Sequence, residues 1–362
     1  MEEFMSYIDS CLSSGAVPWL ADGGPRIARY GSLEEEYARL ADGPALIERT
    51  DRAVIEVTGS DRVSWLHNLI TNDLRNVSPG EGQYAFALNV QGRILFDLVV
   101  LVQRESLRLD VHAAWSEQAR KHLEKYIITE DVRLADRSAS LVRMGLAGQR
   151  AKALAQELGA GQAGALPLFG WAEVHWRGKP VQLYRHDFFG VFALDLIVPA
   201  SCAVALWRWL TDDARQAPAV PVGWEAVQVR RIEAGVPFPG SDITDDVLPA
   251  ETGRLEQAVS FQKGCYLGQE VVERMRSRGQ VARRLIGITL AAESSPPPGA
   301  TVMRDAAKVG MVTSSCHSIA LRRPVALSYL KKSAADSGTD VRISWEGGEA
   351  TGTVTALPFV RA

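Results

Sequence analysis

The densest chemistry in the 362-residue sequence lies in the stretch Lys263-Gly-Cys-Tyr-Leu-Gly-Gln-Glu270. Two glycines, Gly264 and Gly268, frame a cysteine and an aromatic residue, Tyr266, a spacing that predicts a tight backbone path. From about Gly268 onward the residues read as a helix. Cys265 is thereby placed just ahead of a helix N-terminus and two residues from Lys263, and both the helix dipole and a nearby ammonium favour a thiolate. Cys265 is a candidate reactive thiol with Lys263 as its electrostatic activator. The competing reading is a small buried hydrophobe, the commonest fate of a free cysteine.

Charge divides sharply beside this segment. Residues 240–258 carry Asp242, Asp245, Asp246, Glu251 and Glu256 against Arg254, whereas residues 260–290 carry Lys263, Arg274, Arg276, Arg278, Arg283 and Arg284 against Glu270 and Glu273. A basic band of this kind can hold an anionic ligand tail or RNA phosphates. It can equally be a solvated helix face with internal ion pairs such as Glu270 with Arg274.

The whole chain narrows the choices. Its 40 Lys and Arg against 43 Asp and Glu give a net charge of −3, so there is no global basic field. The four cysteines, at 11, 202, 265 and 316, form no CxxC pair, which argues against a self-contained zinc or iron–sulfur site. Six dispersed histidines show no HxxxH or HExxH spacing, so no metal is expected. Without a signal-like N-terminus, and with the longest apolar stretch, around Ile94 to Val102, broken by Asp97, a cytoplasmic protein with no membrane partner is expected.

The elements that must position these residues read as two α+β units and a barrel. Ser32 caps a helix over 32–41, Ala53 to Thr58 is a strand, and Ser60 caps a helix through Leu69. Gln83 to Leu88 and Arg93 to Val102 pair through the turn at 89–92, Leu107 to His112 follows, and Trp115 to Tyr126 is helical. The same mix recurs from about Ser140 to Thr211. After the prolines of 294–299, short strands at 309–314, 325–330, 341–345 and 350–356 read as a small all-β barrel.

The 263–270 motif resembles the defining motif of the YgfZ family, folate-binding relatives of the glycine cleavage T-protein that support iron–sulfur enzyme maturation and, in bacteria, are linked to tRNA modification. The resemblance continues in residues 57–73, in the hairpin 82–92, in Arg231-Ile-Glu-Ala-Gly235 with Pro239-Gly-Ser-Asp242, and from Val309 to Phe359. It covers roughly residues 45–360.

That resemblance implies an α+β fold of the glycine cleavage T-protein type, a three-domain ring around a central channel. Residues 1–52 and 138–255 would form the first α+β unit and 53–137 the second. Residues 256–283 would form the motif segment and 284–362 the C-terminal β-barrel. It implies tetrahydrofolate or a related folate as cofactor, with Tyr84, Phe96, Asp97 and Arg231 as contacts. Gly264 and Gly268 would shape the motif loop, and Gln269 and Glu270 would orient it. Partners would be iron–sulfur assembly proteins or client enzymes, with tRNA on the arginines of 274–284.

Two departures bear on activity. T-proteins carry a pair of aspartates where this chain has Phe96-Asp97, and since neighbours on a strand face opposite ways, Phe96 is expected on the pocket face. A folate-pairing glutamate is replaced by Val191 in Phe188-Phe-Gly-Val191, a loss of roughly 1–3 kcal/mol if a buried donor goes unpaired. Support of iron–sulfur assembly or repair is therefore expected. The alternative is a tetrahydrofolate-dependent aminomethyltransferase relying on Asp97.

Overall fold

The strand Ile94–Val102 is buried along nearly its whole length because it is covered on both sides. Phe96, Leu98, Val100 and Val102 pack with Trp65, Leu66, Ala119 and Leu123 from the helices Arg62–His67 and Ser116–Glu124. Val99 and Leu101 pack the other way, into a cluster shared with Tyr184, Ile232, Tyr266, Leu327 and Tyr329. That second cluster is where the parts of the molecule meet. Continuous apolar runs, rather than alternating ones, are what such two-sided burial requires.

The computed structural model describes residues 2–12, 16–21, 24–212, 216–278 and 281–361. A six-stranded sheet runs in the order Trp171–Trp176, Lys179–His186, Ala193–Pro199, Leu141–Ala147, Ala45–Glu48, Val220–Pro221, and only the last pairing is parallel. A five-stranded antiparallel sheet runs Gly82–Leu88, Ile94–Val102, Ser106–His112, Arg52–Thr58, Arg133–Asp136. Six strands between Arg283 and Thr355 close into a barrel. The chain passes from the first sheet to the second through residues 49–51 and returns through residues 137–140.

Local sequence explains most of these elements. Ser32 caps the helix Leu33–Asp42 by accepting from the Glu35 N–H, as its position predicts. Ser60 does not act as a cap. Its N–H and hydroxyl both donate to Asp131 Oδ2, and the helix starts from Asp61 without a side-chain cap. The barrel has two strands beyond the expected four, Arg283–Ala291 and Thr301–Arg304. The helix Trp224–Glu233 also lay outside the sequence reading. Its residues are too evenly apolar and charged to display a clean amphipathic stripe, since seven of its ten residues, including Arg231 and Glu233, are buried.

Glu233 fastens the barrel to the rest. Its carboxylate accepts from Tyr37 Oη at 2.6 Å, Ser318 Oγ at 2.6 Å and the Ala320 N–H at 3.1 Å. Among the described residues no helix is long and apolar enough to cross a membrane.

The 263–270 motif docks on the hairpin turn at 89–92. Gly268 has φ +81°, and a Cβ there would stand 2.6 Å from the Asn89 carbonyl oxygen. Gly92 has φ +74°, and its Cβ would stand 2.7 Å from that of Val271. Both are close approaches only glycine permits. Gly264 differs, since open space surrounds the place its Cβ would take, so the tight path expected of both motif glycines holds at Gly268 alone. We expect Gly268→Ala to lower stability by about 2 kcal/mol or more in urea unfolding. An unchanged midpoint would contradict the docking.

Candidate functional site

The hairpin of Gly82–Leu88 and Ile94–Val102 sets the site. Asp97 lies opposite Phe86 in register, and its side chain points into the space between the sheets. Tyr84 Oη donates to Asp97 Oδ2 at 2.8 Å. Asp97 Oδ1 is buried and has no hydrogen-bond partner. Burial raises the Asp97 pKa above the ordinary carboxylate value, and the Arg52 charge opposes that rise.

Phe96 goes the other way. It is fully buried on the helix-covered face, edge-on to His122 at 5.9 Å between ring centroids. The expectation that a phenyl ring occupies the pocket face is therefore corrected: strand alternation holds, but it is Asp97 that faces inward.

Asp97 lines a narrow cavity together with Arg49, Arg52, Phe188, Trp224 and Phe238, with a volume of about 20 Å³, room for about one water. Trp224 Nε1 is buried without a partner. Phe188 stands 5.8 Å from the Tyr84 ring, and Arg254 lies over both rings at 5.5 and 5.6 Å. Arg254 is held there by Asp187 through two bonds of 2.7 and 2.8 Å. Val191 is not among the lining residues; the turn that carries it supplies the phenyl walls Phe188 and Phe189 instead.

Behind this cavity lies a buried ion network. Arg49 bonds Asp51 at 2.8 Å and Asp195 at 2.9 Å, and Arg52 bonds Asp110 at 2.7 Å. Arg143 donates to Asp110, to Asp195 at 3.4 Å and to Tyr184 Oη at 3.0 Å, and Tyr184 in turn donates to Asp110. Although burial alone would raise them, the guanidinium charges hold Asp51, Asp110 and Asp195 below the usual carboxylate range.

Arg231, a predicted folate contact, also borders the cavity, but its donors are engaged. They reach Asp242 at 2.7 Å, Ser314 at 2.9 Å, Gln228 at 2.5 Å and the Val236 carbonyl at 3.2 Å. Its role here is to join the helix to the barrel.

None of the motif residues lines the cavity. Lys263 is buried, and its ammonium donates to the carbonyls of His67, Ile70 at 2.6 Å and Asn72 at 3.0 Å. Burial lowers its pKa to about 8. Those carbonyls engage the ammonium on the side of the 62–72 segment, so Lys263 is a brace rather than the expected thiol activator. Tyr266 is buried with Lys263 5.0 Å above its ring, whereas Cys265 is exposed. Gln269 opens the helix Gln269–Arg278, and Glu270 pairs with Arg274 at 2.7 Å on its exposed face.

The cationic band is likewise engaged where it is described. Arg276 stacks on Phe261 at 4.1 Å, Arg283 bonds Glu251 at 3.1 Å, and Arg284 reaches the Ala335 carbonyl at 2.6 Å.

Comparison with known proteins fits this architecture. The family model of the GCVT N-terminal domain matches residues 23–263, and that of the glycine cleavage T-protein C-terminal barrel domain matches residues 283–361. The chain belongs to the glycine cleavage T-protein family. An aminomethyltransferase of Synechococcus sp. (strain RCC307) is 27% identical over 345 residues, covering 94% of this chain and 93% of that protein. One of Geobacillus kaustophilus (strain HTA426) is 28% identical over 336 residues, covering 92% of each. The crystal structure of glycine cleavage system aminomethyltransferase T from Bartonella henselae superposes with a TM-score of 0.88 at 23% identity, covering 97% of this chain and 96% of that one.

The T-protein family binds tetrahydrofolate. The lining chemistry suits that group, with an unpaired carboxylate oxygen, an indole N–H that lacks an acceptor and aromatic walls, but the space holds only about one water, so the walls must part to admit a pterin ring. Sequence reading named Asp97 and Arg231, which line the cavity, and Tyr84, which bonds Asp97 beside it, but did not name Arg49, Arg52, Trp224 and Phe238. Those four come from two segments, 49–52 and 224–238, far apart in the chain, and no local spacing marks the two as neighbours.

His112 sits beside the same network and reports on it. Its Nε2 lies 3.1 Å from Arg26 Nη2, so the ring accepts in the neutral form. Burial lowers its pKa to about 4, and the positive charges of Arg52 and Arg26 add to the effect. A depressed histidine gives stability that is full above the unfolded pKa of about 6.5 and is lost as pH falls towards the folded value. The stability advantage of the wild type over His112→Gln should therefore shrink by up to about 3 kcal/mol between pH 6.5 and pH 4. Denaturant titrations at several pH values read this directly, and a constant difference would refute it.

Proposed function

We propose that this chain is a tetrahydrofolate-dependent transferase of the aminomethyltransferase kind, with Asp97 as the residue that contacts the reacting amine. The observation that carries the reading is the buried, unpaired Asp97 Oδ1 aimed into the cavity. Bound tetrahydrofolate supplies the amine nitrogen that accepts a one-carbon unit. Asp97 would accept an N–H of that amine at Oδ1 while Tyr84 fixes the other oxygen. Arg52 favours the ionised carboxylate and burial disfavours it, so the group is poised to hold or release a proton. Phe188, Phe238 and Trp224 would flank the ring once the walls part to admit it. The aminomethyltransferase names of the relatives, which span more than nine-tenths of this chain, support the same reading.

A second reading rests on a different observation. The YgfZ-like motif presents Cys265 to solvent, away from the cavity lining, where a partner thiol or a cluster can reach it. Under that reading the protein binds folate and supports iron–sulfur assembly through Cys265, and Lys263 and Gly268 hold the loop in place.

The two readings separate in one assay with tetrahydrofolate and an aminomethylated carrier protein. The transferase reading expects turnover by the wild type, a fall of about 100-fold in Asp97→Asn and an unchanged rate in Cys265→Ala. No turnover by wild-type protein that still binds folate would overturn it. Loss of iron–sulfur enzyme activity in a knockout strain complemented with Cys265→Ala would then point to the second reading.

A further inference from the structure

The folate cavity is closed as it stands. Its volume of about 20 Å³ compares with about 300–1,000 Å³ for pockets that hold a small organic ligand, so part of the wall must move. Of the lining residues only Phe188 and Phe238 are partly exposed, which puts the mouth between these two rings. Phe238 is fixed. Its N–H donates to Asp242 Oδ2 at 2.9 Å, and its carbonyl accepts from the Asp242 and Ile243 N–H groups at 2.8 and 3.1 Å. Asp242 is itself held by Arg231 at 2.7 Å.

Phe188 is held differently. Among the described residues, the backbone of 187–191 makes no hydrogen bond outside 186–191: the Phe188 N–H meets His186 Nδ1 at 3.2 Å, and the Gly190 N–H meets the Asp187 carbonyl at 3.0 Å. The hydrogen-bond attachment of the turn to the rest of the molecule is the Asp187 carboxylate, which accepts from Arg254 at 2.7 and 2.8 Å and from Gln257 at 3.2 Å. Arg254 is a firm post, since its N–H donates to Thr252 Oγ1 at 3.0 Å and its carbonyl accepts from the Gln257 and Ala258 N–H groups. The Asp187 side chain is 33% exposed, so water reaches the pair and competes for it. The far end of the turn is packed in place: a Cβ at Gly190 would collide with that of Ala234, and Phe189 is buried beneath Arg49. The end that can move is therefore the one that carries Phe188.

We propose that the Asp187–Arg254 pair is a latch on the folate cavity, and that its release lets Phe188 swing clear and open the mouth. The proposal rests on the folate reading of the cavity. The free protein is held shut, and the complex keeps the latch open because the ring displaces Phe188 from its closed position. Affinity is then lowered by the fraction of free molecules that are open. Weakening the latch raises that fraction, so it speeds association and tightens binding together. A pair that only built the binding site would, when weakened, lose affinity instead.

Two measurements on the full chain test this: amide hydrogen exchange of the free protein, and stopped-flow binding of 5-formyltetrahydrofolate followed by protein fluorescence. Asp187→Asn and Arg254→Gln break the pair from either side. Each is expected to speed exchange of the 187–191 amides without folate, to raise the association rate about fivefold or more and to lower Kd by a similar factor. Because Arg254 also packs over Tyr84 and Phe188, Asp187→Asn, which leaves those ring contacts in place, is the decisive variant. Unchanged exchange, an unchanged or slower association, or weaker binding by Asp187→Asn would overturn the latch while leaving the folate reading intact. No folate binding by the wild type or either variant would overturn the folate reading, and the latch with it.

Discussion

The structure depends on one buried network of ions. Arg49, Arg52 and Arg143 face Asp51, Asp110 and Asp195, all nearly inaccessible to solvent, and these side chains come from both sheets and the crossing between them. Charges buried in this way are tolerated only when each has a partner, and removing one partner typically costs about 3–5 kcal/mol. The network therefore fixes how the two sheets sit against each other. It also explains why Asp97 stands apart. The three arginines are matched by three other carboxylates, which leaves Asp97 Oδ1 as an inward-facing acceptor without a donor.

The hairpin that carries Asp97 is braced from a distance. Gly268 and Gly92 let the motif loop lie against the hairpin turn, while Lys263 gathers three carbonyls between His67 and Asn72. Asn72 in turn donates to the Tyr84 carbonyl at 2.9 Å and to the Gln257 carbonyl at 2.9 Å. A chain of side-chain-to-carbonyl hydrogen bonds thus runs from the conspicuous motif to the tyrosine that orients Asp97. The motif separates into two parts: a buried lysine that braces the 62–72 segment, and an exposed cysteine.

The turn at 187–191 shows how the cavity is finished without the acid expected from other T-proteins. Asp187 pins Arg254 over the rings of Tyr84 and Phe188, and the phenyl groups of Phe188 and Phe189 line the cavity. The turn thus contributes aromatic surface and an arginine fixed by Asp187 where an acid was expected.

The sequence by itself determined the α+β class, four of the six strands of the C-terminal barrel, and the hairpin that carries Tyr84 and Asp97. These are written in local periodicity, turn residues and motif order, which short stretches of chain specify. It misjudged the face on which Phe96 lies and the partner of Lys263. It left unread the helix Trp224–Glu233 and the arginines that wall the cavity. Each of those depends on contacts between residues from tens to nearly two hundred positions apart, such as Lys263 with His67 or Arg49 with Asp195. Only the tertiary structure decides them, because the energy of a buried charge is set by which partner the fold brings within hydrogen-bond reach.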